Sequence, residues 1–253
     1  MKVTAIIQAR CGSTRFPNKV FTMIDGKPLI WHVVNRLEYT KSIDDIIIAT
    51  TTNIIDDEIE TWCKNNRIKY YRGSEDNVLN RYYMASKKYP SDVIVRITAD
   101  DPFKEPAVID KVVRTYLDGN FDYVTNNYPP TFPEGLDCEV FSADLLRKME
   151  KESNDDYERE HVTQYVFRHA NNFSIGNVKN DVDLSYLRWT IDTKDDLKMV
   201  NAIYANRIKE NELLLMDEIL DILNINPEIK NINSNVARSA MYKGEWKWRE
   251  YLV

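Results

Sequence analysis

Arg10, Arg15 and Lys19 lie within one short segment, Gln8-Ala-Arg-Cys-Gly-Ser-Thr-Arg-Phe-Pro-Asn-Lys19. Arginine binds phosphate oxygens bidentately and lysine acts as a point charge. Gly12 and Ser13 permit a tight backbone whose N–H groups can face an anion, so the segment reads as a phosphate clamp. Its glycine spacing matches neither a Walker A loop nor a Gly-x-Gly-x-x-Gly fingerprint. A second candidate follows the apolar run Val93–Thr98, where the chain continues Ala99-Asp100-Asp101-Pro102. A carboxylate at a strand's carboxyl end suits Mg²⁺, which binds through one or two carboxylates plus substrate phosphates. The same Asp-Pro turn equally suits a helix cap. Asp192, in Arg188-Trp-Thr-Ile-Asp-Thr193, ends another extended run and offers a second oxygen donor.

These loops need elements that bring them together. Val3–Gln8, Asp45–Thr50, Ile68–Tyr71 and Asp92–Thr98 read as buried strands. Pro28 opens a helix in its favoured first-turn position, with Leu29, Ile30, Val33, Val34 and Leu37 on one face. Helices follow at Asp56–Asn65, Asn77–Lys88 and Pro106–Leu117. This alternation predicts a mostly parallel α/β sheet, whose ligands sit at the carboxyl ends of the strands. Further on, strands are predicted at Phe121–Asn126, Cys138–Phe141, Phe173–Val178 and Tyr186–Ile191. Helices are predicted at Ala143–Glu150, Arg159–Ala170, Lys194–Asn206 and Met216–Leu223. Residues 1–223 form one domain in this reading, with a nucleotide half (1–118) and an acceptor half (119–223). Residues 224–235 read as a linker into a tail, 224–253, that carries Trp246, Trp248 and Tyr251.

The chain has 253 residues, 43% hydrophobic and 29% charged, enough to bury a large core. A net charge of −6 argues against nucleic acid as a partner. Cys11, Cys63 and Cys138 make no Cys-x-x-Cys pair, so free thiols in a reducing cytoplasm are expected. The opening apolar run is too short for a signal peptide. No stretch approaches the roughly 20 apolar residues of a membrane helix.

Taken together, the blocks resemble the cytidylyltransferases of the SpsF (spore-coat polysaccharide) type, relatives of the enzymes that make CMP-activated octulosonate and sialic acids. The resemblance runs from about Val3 to Asp196. It is carried by Ile7–Lys19, Asp25–Leu29, Tyr71–Tyr82, Arg96–Pro102, Pro133–Phe141, Glu158–Thr163 and Arg188–Asp192. It implies a nucleotide-diphospho-sugar transferase (Rossmann-like) fold, with a mostly parallel mixed sheet flanked by helices. It implies CTP as the nucleotide, Mg²⁺ as cofactor and a sugar or sugar acid as acceptor. Nucleotide contacts are expected from Gln8, Ala9, Arg10, Gly12, Ser13, Arg15, Lys19 and Thr98, with Arg72, Ser74 and Asp76 around the base. Asp100 and Asp192 match the metal-holding aspartates, and Arg10, Lys19, Asp100 and Asp192 form the expected catalytic set. Asp101 and Phe103 depart from the usual pattern. Asp101 either adds a carboxylate to the metal or caps the next helix. Relatives resemble dimers, so a homodimer is among the expected assemblies.

The acceptor pocket is expected from the second half. Glu134, Asp137 and Glu139 can bind sugar hydroxyls, and Arg159 and Arg188 can bind an acid or phosphate. Glu160 and Asp137 suit either substrate contact or an internal ion pair. His161 suits either acceptor contact, including proton relay, or helix capping. His32 and His169 fall on predicted helices as packing or surface residues.

Overall fold

A computed structural model describes residues 1–208, 213–239 and 242. Strand β1 (Val3–Gln8) leads through a loop and a 3-10 turn, Lys19–Phe21, into a hairpin of β2 (Met23–Ile24) and β3 (Lys27–Pro28). Helix α1 (Leu29–Glu38), β4 (Asp45–Thr51), α2 (Asp57–Asn66) and β5 (Lys69–Gly73) follow. Helix α3 (Val78–Lys88), β6 (Val93–Thr98) and α4 (Pro106–Asp118) complete the alternating half. Then come β7 (Tyr123–Thr125), β8 (Glu139–Ser142), α5 (Ala143–Glu152), α6 (Asp156–His161) and α7 (Gln164–Arg168). Strand β9 (Ile175–Asn177), α8 (Lys194–Ala205), α9 (Met216–Ile225) and a 3-10 turn, Pro227–Asn231, follow.

Seven strands form one sheet in the order β5-β4-β1-β6-β8-β7-β9. β1, β4, β5 and β6 are mutually parallel, and β8 runs antiparallel to both β6 and β7. The chain steps outward from β1 to β4 and β5, then crosses back to β6 on the other side of β1. Loops after β1 and β6 therefore diverge and leave a crevice at the switch point.

Strand side chains alternate between the two layers, so β1 must be apolar on both faces. Ala5 and Ile7 share a core with Leu29, Val33, Val112 and Met199. Ile6 belongs to the opposite core, with Leu79, Tyr82, Leu146 and Val166. Each fully buried Ile contributes about 1.5–3 kcal/mol. Phe103 is core as well, stacked on Tyr204 and edge-on to Trp189. All three cysteines are free and buried.

Several expectations are corrected. Pro28 ends β3 and caps α1 rather than opening its first turn. The helix expected over Arg159–Ala170 breaks at Val162, whose φ of 56° and ψ of −60° form a γ-turn. There the Thr163 N–H donates to the His161 carbonyl at 2.6 Å. This backbone is strained for a β-branched residue and holds because Val162 is fully buried. Tyr186–Ile191 is no strand of the sheet: it bridges only at Arg188 to Glu134. Residues 224–235 are not a free linker, since Ile229 and Asn233 are buried against the body. Trp246, Trp248 and Tyr251 lie outside the described residues.

Candidate active site

The loop after β1 is pinned at both ends. At its start the buried Asp56 carboxylate accepts the Cys11 N–H at 2.7 Å and the Thr51 hydroxyl. Cys11's carbonyl accepts from Ser13 and Asn18, which folds the loop back on itself. At its far end Asn18 takes a left-handed conformation, φ 57°, and the 3-10 turn drives Lys19 inward.

Lys19 is the centre of the site. Its Nζ donates to Asp100 Oδ2 at 2.8 Å, Asp192 Oδ1 at 2.8 Å and the Ile191 carbonyl at 3.0 Å. Burial works to lower the Lys19 pKa, but the two facing carboxylates outweigh it and hold it above the usual lysine value. Asp100 is likewise pushed up by burial and pulled down further by Lys19, so it stays ionised.

Tertiary pairing brings Asp192 to Asp100 across more than a third of the chain. The Ile191 N–H donates to the Asp100 carbonyl at 2.9 Å, and alongside it the Trp189 N–H donates to the Glu134 carbonyl while the Glu134 N–H donates to the Leu187 carbonyl. Gly135 makes this approach possible: its φ is +111°, and a Cβ there would lie 2.9 Å from the Thr190 nitrogen. Arg15 reaches Asp192 Oδ1 at 3.0 Å from the solvent side.

A cleft of about 230 Å³ opens here, lined by Gln8, Ala9, Arg10, Ser13, Arg15, Lys19, Thr98, Asp100 and Asp192, with Thr14, Val20 and Ala99. Nine of the expected nucleotide and metal residues thus meet in one place. Gly12 sits beside the cleft against Glu75, which also faces Arg10 at 3.5 Å.

Asp100 Oδ2 and Asp192 Oδ1 converge on one cation, the Lys19 ammonium. The described residues hold no group of three or more His, Cys, Asp or Glu for a metal. Two hard oxygens on a phosphate-sized cleft are nevertheless the set Mg²⁺ uses when substrate phosphates complete its shell. The residues therefore fit that ion.

Other expected residues are placed elsewhere. Arg72 is spent on the scaffold, donating to the Thr51 and Asn53 carbonyls and to Glu60, and pairing with Asp57. Ser74 and Asp76 are exposed just before α3, and the Ser74 Oγ accepts the Asn77 N–H. Asp101 neither reaches the cleft nor caps α4. It is buried, accepting from Thr98 Oγ1 at 2.7 Å and from Lys104 Nζ at 2.9 Å.

In the acceptor half, Glu139 is buried among Arg96, the Tyr123 hydroxyl and Thr163 Oγ1. Burial pushes its pKa up, but Arg96 more than offsets this. Glu134 and Arg188 pair with each other at 2.9 Å. Asp137 Oδ1 accepts the Tyr242 hydroxyl at 2.6 Å. Arg159 donates to the Ser153 carbonyl at 2.8 Å and faces Glu150. Glu160 and His161 are exposed at the end of α6, where His161 packs on Tyr157. His32 is buried, its Nε2 on the Ile24 carbonyl and its Nδ1 on the Tyr204 hydroxyl. His169 lies exposed against Tyr165.

Sequence reasoning missed Asp56, Arg96, Asp196 and Asn233. Arg96 carried a signal, a cation inside an apolar strand. Asp196 was legible only as the last residue of a Thr193-x-x-Asp196 capping box.

The chain matches the cytidylyltransferase family model over residues 4–233. An uncharacterised protein of Methanocaldococcus jannaschii is 41% identical over 95% of this chain and 98% of its own. The spore coat polysaccharide biosynthesis protein SpsF of Bacillus subtilis is 32% identical, covering 88% of this chain and 94% of its own. A cytidylyltransferase structure from Leptospira borgpetersenii superposes with a TM-score of 0.85 at 31% identity, over 91% of this chain and 97% of that one. The fold is thus the nucleotidyltransferase α/β fold, with loops after β1 and β6 framing the cleft, and the chain belongs to the cytidylyltransferase family.

Proposed function

We propose that this protein transfers a cytidylyl group from CTP to a hydroxyl of a sugar or sugar acid, with Mg²⁺ as cofactor, and feeds the CMP-linked product to surface polysaccharide or glycoconjugate synthesis. The observation that carries this reading is the convergence of Lys19, Asp100 and Asp192 on a cleft walled by Arg10, Ser13 and Arg15. The acceptor oxygen attacks the α-phosphorus, the α–β phosphoanhydride bond breaks, and pyrophosphate leaves while the hydroxyl proton passes to solvent. Positioning and charge neutralisation govern such a step. Arg10, Arg15 and Lys19 bind the triphosphate and stabilise the negative charge that builds on pyrophosphate. Mg²⁺ held by Asp100 and Asp192 would neutralise phosphate charge and acidify the acceptor hydroxyl. The second reading, a phosphorylated acceptor giving a CDP-linked product, asks for a cation in the acceptor half, where Arg159 and Arg188, like Glu134, Asp137 and Glu139, are engaged within the chain.

Asp100→Asn and Asp192→Asn test this. Each keeps shape but loses charge, and metal stabilisation is worth several kcal/mol at about tenfold in rate per 1.36 kcal/mol. Pyrophosphate release from CTP, assayed against a panel of sugars, is expected to fall on the order of a hundredfold or more in each. The double variant is expected to be little worse, because both groups serve one ion. Wild-type rates in both single variants would rule the mechanism out.

A further inference from the structure

Asp192 does not stand alone. One of its oxygens, Oδ1, faces the cleft, while Oδ2 accepts from Arg188 Nη2 at 2.9 Å. The same guanidinium donates through Nε to Asp196 Oδ1 at 2.8 Å, through Nη2 to Asp196 Oδ2 at 3.1 Å, and through Nη1 to Glu134 Oε1 at 2.9 Å. One buried cation thus serves three carboxylates, and its side chain is only 4% exposed. Competition for that cation must be balanced from elsewhere.

The balance comes from the C-terminal segment. Arg238 Nε donates to Glu134 Oε2 at 3.0 Å, and the Ser239 N–H donates to Glu134 Oε1 at 3.1 Å. Arg238 also anchors itself on the Leu187 carbonyl at 2.8 Å. Asn233 Nδ2 donates to Asp196 Oδ1 at 3.0 Å and to the Arg188 carbonyl at 3.1 Å. The contacts to Glu134 and Asp196 satisfy carboxylates that would otherwise draw Arg188 away from Asp192.

We infer that Asn233 and Arg238 are positioning residues for the candidate metal carboxylate: by saturating Asp196 and Glu134 they keep Arg188 on Asp192 Oδ2 and aim Oδ1 into the cleft. This rests on the reading of Asp192 as a metal-holding group. Arg238 lies beyond the family match, which ends at residue 233. Removing Arg238 leaves Glu134 with Arg188 as its one cation among the described residues, so Arg188 shifts toward it and Asp192 loses its inner anchor. A buried charge pair that loses one member redistributes its remaining bonds strongly.

The test uses the full chain with CTP present, because substrate phosphates complete the ion's shell, and Mn²⁺ as probe, with free Mn²⁺ read by electron paramagnetic resonance against CTP without protein. Turnover, KM for each substrate and the melting temperature are recorded in parallel. Arg238→Ala and Asn233→Ala are expected to weaken Mn²⁺ binding about five- to tenfold and lower kcat by a similar factor, with the KM for the acceptor unchanged. Arg238→Lys restores the charge beside Glu134 and is expected to recover most of the Mn²⁺ affinity, which a purely structural role would not require. Arg238→Gln, which keeps a donor but not the charge, carries the same expectation as Arg238→Ala should the alanine variant fold poorly. Wild-type Mn²⁺ affinity in the Arg238 and Asn233 variants, alongside lost affinity in Asp192→Asn, would overturn this inference and leave the metal reading standing. A wild type that binds Mn²⁺ no better than Asp192→Asn would overturn the metal reading, and this inference with it.

Discussion

Neighbouring aspartates in one turn have opposite fates. Asp100 looks into the cleft beside Lys19, whereas Asp101 turns into the protein and meets Lys104, whose side chain is 0% exposed. Burial pushes the Asp101 pKa up, Lys104 partly counters it, and Thr98 adds a hydrogen bond. A cap of α4 at this position would be worth only about 1 kcal/mol. A buried pair is different, because removing one member strands the other. Asp101→Asn is therefore expected to cost about 3–5 kcal/mol in urea unfolding, and Asp101→Leu combined with Lys104→Met distinctly less. A loss near 1 kcal/mol for the single variant would mean that the pair contributes no more than a surface cap.

At the scale of elements, the decisive piece is the loop between β1 and the Lys19 turn. It has no regular structure of its own, so its shape depends on what holds its ends. Asp56, at the start of α2, supplies one anchor through the Cys11 N–H and the Thr51 hydroxyl. Asp56→Ala leaves a buried N–H unsatisfied, at about 1–3 kcal/mol. It also frees the segment carrying Arg10 and Ser13. A severalfold rise in the KM for CTP, beyond the loss of stability, is the expected result. An unchanged KM in a variant that has lost stability would show that the loop keeps its shape without this anchor. The γ-turn at Val162 plays a comparable part in the other half, reversing the chain so that Thr163 meets Glu139 at 2.8 Å.

Across the whole molecule, three buried ion pairs make stability fall in acid. Burial alone would raise the pKa values of Asp100, Glu139 and Asp196, but Lys19, Arg96 and Arg188 outweigh it and depress all three. A depressed folded pKa means the unfolded chain binds the proton more readily. The stability from these groups is then fully present above the ordinary values of 3.8 and 4.5 and is lost as pH falls through the folded ones. The urea midpoint is expected to rise slightly from about pH 7 to about 5, as Asp101, raised to about 6, takes up its proton in the folded chain, and to drop steeply below about 4. A midpoint that stays level down to about pH 3 would contradict this assignment of the charges. On the alkaline side Lys19 and Lys104 are raised despite burial, so their share persists to above 10.5.

Much of the scaffold is legible in the amino-acid sequence, because its signals are local. Continuous apolar runs at Val3–Gln8 and Val93–Thr98 and 3.6-spaced faces from Leu29 to Leu37 leave little choice of element. Parallel strands then place their following loops at one edge, which is why Arg10, Ser13, Lys19 and Asp100 could be singled out by position and residue type. What each charge touches was not legible. Arg72, Glu134, Glu139 and Arg188 have the chemistry of ligand contacts, yet all four are bonded within the protein. The partner of a charge is set by packing between segments far apart in sequence, as Lys19 and Asp192 show. Only the tertiary structure could decide that Tyr186–Ile191 runs along Glu134 rather than joining the sheet, and that the C-terminal segment closes around the same cluster. A side chain's type fixes which bonds it can make, and the folded chain decides which of them it does make.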